Sequence, residues 1–222
     1  MAYHFEFGAI LEYVPVLVKG IAITVELIAI GAVIGVGLGI VCAWVRTFGP
    51  KWLRPPVSAY VELIRNTPFL VQIYFIFFAL PFIGVILPPT PTAIIALGVN
   101  GGAYAIEIIR GGVQSIHKGQ IEAGYALGLH KAQVFRLIVL KPALRAIYPS
   151  LTSQFILLTL TTSVASAISA YELTSTAQRI ESDTFRSFEV YFTVTAFYLV
   201  MSWLMMTMFN AISRRYFSYP VK

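Results

Sequence analysis

Three side-chain amides, Gln72, Asn100 and Gln154, each sit alone inside a long apolar stretch of the chain. An amide both donates and accepts hydrogen bonds, and at membrane depth it suits a polar or zwitterionic solute better than a bare ion. Thr67, Tyr104, Thr161, Thr162 and Ser163 lie in the same stretches and complete a set of candidates for lining a passage. Ser and Thr also bond the backbone of their own helix, so packing accounts equally well for many of these hydroxyls. Bond-making chemistry has no foothold. HExxH and GxSxG are absent, His4, His117 and His130 are scattered outside the apolar stretches, and no catalytic set is assigned. The single cysteine, Cys42, leaves no disulfide framework and no CxxC pair, and no metal site is expected. There is no GxxxxGK[ST] and no Gly-Lys pair at all, so ATP has no P-loop here.

The elements that carry these residues must be membrane spans. Of 222 residues, 58% are hydrophobic and only 12% charged, with a mean hydropathy of +0.78; soluble domains run near 25% charged. Disordered, collagenous and nucleic-acid-binding classes are excluded. Five runs are long enough to cross: Gly20 to Trp44, Val57 to Leu80, Thr92 to Ile109, Ile147 to Ala170 and Val190 to Ile212. The expected fold is an all-α membrane protein of about five transmembrane helices. Glu6 and Glu12 precede Lys19, the reverse of a basic leader, so no removable signal peptide is read.

Sorting the cations sets the orientation. Thirteen of the sixteen basic residues fall in the segments 46–65 and 110–145 and in the tail. Lys and Arg are retained on the cytoplasmic side, which places the N-terminus outside and the C-terminus in the cytoplasm. The net charge of +6 is therefore chiefly a topology signal. Three parts follow: an extracytoplasmic or interfacial segment over 1–19, a transmembrane domain over 20–215 with a cytoplasmic loop at about 113–145, and a cytoplasmic tail over 216–222.

Within the spans, Gly31, Gly35 and Gly39 repeat GxxxG and predict close approach of a neighbouring helix. Glu26 is expected to face protein, water or the outer interface. Glu62 and Arg65, three apart, are placed to pair. Pro68 is expected to kink the second span and free backbone carbonyls.

The cytoplasmic loop, Arg110 to Arg145, is too long for a mere connection. It reads as two short helices: Gln120 to Leu127 closed by Gly128, then Ala132 to Leu140 stopped by Pro142. Glu122 on a thin helix of small residues points to a surface fitting a protein partner rather than one resting on lipid.

Glu122-Ala123-Gly124, three residues, Gly128, nine residues and Ile138-Val139-Leu140 resembles the EAA motif of ABC-importer permease subunits. The stretches Arg65 to Gln72 and Ala103 to Gly112, with Lys118-Gly119-Gln120 and Glu172-Leu173, resemble the polar-amino-acid branch of that family. The resemblance implies a type I ABC-importer transmembrane domain in a bacterial inner membrane. Its substrate would be a polar amino acid or opine-like derivative, moved by alternating access. It also implies that Glu122, Ala123, Gly124 and Gly128 dock in an ATP-binding subunit. The implied assembly has two ATPase subunits, a second permease, identical or related, and an extracytoplasmic solute-binding protein. This chain then needs no cofactor of its own, ATP and Mg belonging to the partner. Glu181, Asp183, Arg186 and Glu189 are candidates for meeting the binding protein, although a solvated loop explains them equally. Two positions depart from the family pattern. Lys141 stands where Pro is usual, and Leu160-Thr161 replaces a Lys-Asp pair found in many relatives. A permease driven by an ion gradient, or a channel, is the alternative reading; the sequence offers neither an internal repeat nor a buried proton relay to favour it.

Overall fold

The computed structural model describes residues 4–217. Residues 1–3 of the expected N-terminal segment and 218–222 of the expected tail, including Lys222, lie outside them. The described residues are mostly helical, joined by short turns, with no strand. A short α1 (Gly8–Leu11) leads into α2 (Val14–Phe48), then α3 (Arg54–Arg65), α4 (Phe69–Ala79), α5 (Pro89–Gln114), α6 (Lys118–Ala126), α7 (Lys131–Val134), α8 (Leu140–Thr161), α9 (Leu173–Thr184) and α10 (Ser187–Tyr216). Among the described residues, four runs are long and apolar enough to cross a membrane, or five if α3 and α4 form one broken span.

Several prolines open helices. Pro15 starts α2, Pro55 and Pro56 start α3, and Pro89 and Pro91 occupy the first turn of α5, where a missing N–H costs nothing.

At the centre α2 and α5 run side by side in the same direction, and the glycine repeat explains how. A Cβ on Gly35 would stand 3.1 Å from backbone atoms of Gly101 and Gly102, and one on Gly39 would stand 2.6 Å from the Ala105 Cβ. The stripe is an α2–α5 seam of backbone against backbone. Gly37, on the opposite side of α2, meets nothing within 4 Å.

Four apolar clusters fix the remainder. Leu17, Leu173, Ala177, Ile180, Val190 and Val194 bind the outer ends of α2, α9 and α10. Leu27, Ile73, Ala93, Leu97, Leu158 and Ala165 join α2, α4, α5 and α8. Ala43, Val61 and Ile106 hold α3 against α2 and α5, and Ile116, Val139 and Ala143 seat the cytoplasmic loop beneath α5. The N-terminal segment is tied in as well: Arg186 pairs with Glu6, and the Glu6 amide donates to Glu189 Oε1 at 3.0 Å.

Three local expectations change. The second span is broken rather than kinked, α3 and α4 meeting at 112° across Asn66-Thr67-Pro68. Pro142 does not stop a helix. Residues Lys131–Ile168 form one run of 38 residues, with a π-helical turn at Phe135–Val139 passing directly into α8. Where the hydrogen-bond register changes, an amide loses its partner regardless, and Pro142 falls in the turn after that change. Arg65 does not pair with Glu62; its guanidinium lies 5.3 Å from the centroid of the Tyr104 ring, a cation–π contact with α5. Glu26 is exposed on α2, on a face this chain leaves uncovered.

Candidate functional site

The cytoplasmic loop builds a small platform. Helix α6 ends in a Schellman turn: Gly128 N donates to Tyr125 O at 2.9 Å and Leu129 N to Gly124 O at 3.1 Å. Gly128 takes φ +78°, the left-handed conformation that closes such a turn. Gly124 is buried, with Ile138 and Val134 where its Cβ would be. Glu122 and Ala123 are exposed. Around them Leu127 is 80% exposed and Leu137 63%, with Tyr125 and Phe135 partly so. These apolar side chains stand open together at the cytoplasmic end. Of the four loop residues, then, Glu122 and Ala123 face outward, while Gly124 and Gly128 shape the platform from within.

The cytoplasmic ends of α2 and α5 are joined by charge. Glu107, near the cytoplasmic end of α5, receives Arg46 of α2 on one carboxylate oxygen and Arg110 on the other, the latter at 2.6 Å. Arg110 also donates to Gln114 Oε1 at 2.7 Å. A single carboxylate clamped by two guanidiniums from two spans is a strong pairing. Only half of it was legible in sequence, as the Glu107–Arg110 spacing; Arg46 is distant in the chain.

The broken second span carries its own repair. The Gln72 amide nitrogen donates to Ile64 O at 2.7 Å, to Thr67 O at 3.0 Å and to Thr67 Oγ1 at 3.0 Å. These include carbonyls that the Pro68 break leaves free. The Gln72 oxygen accepts from Asn100 Nδ2 at 2.9 Å, and both residues are buried. The structure thus brings Thr67, Gln72 and Asn100 together as an internal clamp, with Tyr104 one turn further along α5 beneath Arg65.

The remaining passage candidates lie on and beyond α8. Thr161 donates to Leu157 O at 2.8 Å and Ser163 to Leu160 O at 2.7 Å, both still partly exposed. Thr162 is fully buried and donates to Thr159 O at 2.6 Å. Gln154 is half-buried beside Gly35, Gly101 and Phe155, and its amide has no hydrogen-bond partner among the described residues. The three amides therefore part company: two are spent on each other, and Gln154 alone retains its bonding capacity.

A carboxylate that sequence reasoning marked without assigning it a structural role caps α9. Glu172, fully buried, accepts from Ser175 N at 2.6 Å and from Tyr198 Oη at 2.9 Å, while Ser175 Oγ accepts from the Glu172 amide at 2.9 Å. Burial pushes its carboxyl above the usual range, against the lowering effect of these bonds. The Glu172–Ser175 spacing is a reciprocal cap with the acid and hydroxyl positions exchanged, which disguises it.

The family model described as "Binding-protein-dependent transport system inner membrane component" matches residues 35–218. The glutamine transport system permease protein GlnP of Escherichia coli is 37% identical over 214 residues, covering 95% of this chain and 97% of GlnP. The L-cystine transport system permease protein TcyB of Bacillus subtilis is 39% identical over 210 residues, 94% of this chain and 89% of TcyB. Among solved structures, an amino acid ABC transporter with histidines superposes with a TM-score of 0.90 at 32% identity, covering 96% of this chain and all of that one.

Proposed function

Since the chain belongs to the family of binding-protein-dependent transport system inner membrane components, and is the permease subunit of an ABC amino-acid importer, we propose that it carries a zwitterionic amino acid with an uncharged polar side chain. The observation that carries this reading is the Leu160-Thr161 pair. Leu160 is 46% exposed beside Thr161, so the span offers no carboxylate there to a cationic side chain. Two permeases it is similar to are named for glutamine and L-cystine, whose side chains carry no net charge.

The protein is a multi-pass component of the inner membrane and works with an ATPase and a binding protein. Hydrolysis takes place on the separate ATPase, which holds ATP and Mg, because this chain has no P-loop. Two ATPase copies and a second permease complete the assembly. Glu122 and Ala123 enter the ATPase, Gly124 and Gly128 hold the docking helix in shape, and Gln154, Thr161 and Ser163 face the passage. ATPase closure pulls the platform, and the rigid run into α8 carries that movement to the passage.

Reconstituted vesicles holding the permease, its ATPase and its binding protein, supplied with a mixture of labelled amino acids, test the reading. ATP-dependent accumulation of glutamine or other uncharged polar amino acids over arginine and lysine is expected. Preferential uptake of the cationic pair would overturn it.

A further inference from the structure

The outward end of the chain holds a cleft of about 420 Å³ between α9 and the 3-10 turn Thr162–Ile168 that follows α8. One wall is the polar face of α9, with Gln178, Arg179, Ser182 and Asp183; the other brings Ser166 and Ser169. The opposite face of α9, Leu173, Ala177 and Ile180, is in the core. The helix cannot turn this polar face elsewhere.

Arg179 and Asp183 stand four residues apart, a spacing at which opposite charges on a helix usually join. They do not. The Arg179 guanidinium instead lies 5.5 Å from the centroid of the Tyr171 ring. Among the described residues, neither the Arg179 nor the Asp183 side chain has an ion-pair or hydrogen-bond partner, and the same holds for the side chains of Gln178 and Ser169. The contrast lies on the same helix: Glu181, outside the cleft, accepts from Ser187 Oγ at 2.6 Å and Tyr191 Oη at 2.7 Å. The charged groups within the cleft are held apart and open, and the one outside it is satisfied.

We infer that this cleft is an acceptance site for the backbone groups of a free α-amino acid, Arg179 receiving the α-carboxylate and Asp183 the α-ammonium. Guanidinium matches carboxylate geometry with two parallel hydrogen bonds. Gln178 and Ser169 add neutral donors and acceptors. The cleft adjoins the 3-10 turn Thr162–Ile168 that continues from α8, through Ser166 and Ser169. Because the contacts involve only groups common to all amino acids, side-chain selection takes place elsewhere. The inference rests on the transport of amino acids proposed above.

The test uses the permease with its ATPase in lipid nanodiscs, without binding protein, and L-glutamine as the probe followed by saturation-transfer NMR. Arg179→Gln and Asp183→Asn are each expected to weaken glutamine binding at least tenfold, and Arg179→Lys to recover part of the loss. The α-amide of glutamine, lacking the carboxylate, should bind wild type more weakly than glutamine does, and that difference should vanish in Arg179→Gln. Glutamine affinity unchanged in both variants overturns the inference, as does failure of the wild-type complex to bind glutamine. Variants that keep glutamine affinity but, when binding protein is then added to the nanodiscs, lose its stimulation of ATP hydrolysis also overturn it, assigning the face to receptor docking. If wild-type vesicles import no labelled amino acid, the proposed function itself falls; if they import and the variants bind as wild type, only the cleft does.

Discussion

Asn100 Nδ2 donates to Gln72 Oε1 at 2.9 Å, joining α5 to the elbow of the second span. Gln72 is already bonded to Ile64 O and to both oxygens of Thr67, so one amide bridges the break and the partner helix at once. The elbow is a fixed part of the scaffold. Replacing Gln72 by Leu strands two carbonyls and the Asn100 amide, at a cost on the order of 3 kcal/mol. Thermal unfolding in detergent should show this for Gln72→Leu and for Asn100→Leu, with the double variant losing less than the sum.

The α2–α5 seam separates two glycines that look alike in sequence. Gly35→Ala forces backbone away from backbone and should cost about 2 kcal/mol. Gly37→Ala, open on its side, should stay within about 1 kcal/mol of wild type. The pair of melting temperatures checks this directly, and equal effects would refute the seam.

Two neighbouring residues of the loop should fail in different ways. Glu122→Lys leaves folding unchanged but weakens co-purification with the ATPase by roughly an order of magnitude, ~1.4 kcal/mol. Gly124→Ala displaces only the tip of Ile138 and should retain coupling, whereas Gly124→Leu should disorder the platform. Circular dichroism with a pull-down separates the two modes.

Glu172 contributes a pH dependence whose sign follows from burial. Its raised folded value means the native state holds the proton more tightly than the unfolded chain. Stability is therefore greatest below the ordinary carboxylate range and falls as pH rises through the folded value. Glu172→Gln retains an acceptor for Ser175 N–H and should flatten this component as pH rises above the ordinary carboxylate range. Glu172→Leu removes both acceptors and should lower stability at every pH.

Gln154→Leu should reduce uptake several-fold while the complex assembles normally, since of the three amides Gln72, Asn100 and Gln154 its amide is the one without a hydrogen-bond partner among the described residues. Unchanged transport kinetics would make it a packing residue.

Much of this was readable in the chain because helical spacing is local. The seam was visible in Gly31, Gly35 and Gly39, and the closing turn of α6 in Gly128, each set by positions a few residues apart. What escaped depends on neighbours distant in sequence. Arg65 was matched with Glu62, yet Tyr104 of α5 is the group its guanidinium meets. Gln72 looked free because nothing in a linear reading shows that Ile64 and Thr67 carbonyls turn back towards it at a 112° break. Pro142 misled for a different reason: the rule that proline ends a helix assumes an unbroken register, and here the register had already changed.

That change has a consequence for how the cytoplasmic platform is aimed. A π-turn carries one residue more than regular helical pitch requires. Phe135–Val139 takes up that extra residue within one turn, where a regular α-helix would pass it on as a rotation of roughly 100° to everything before it, Glu122 included. The compass bearing between the cytoplasmic platform and the span beyond it is thus kept by a single turn.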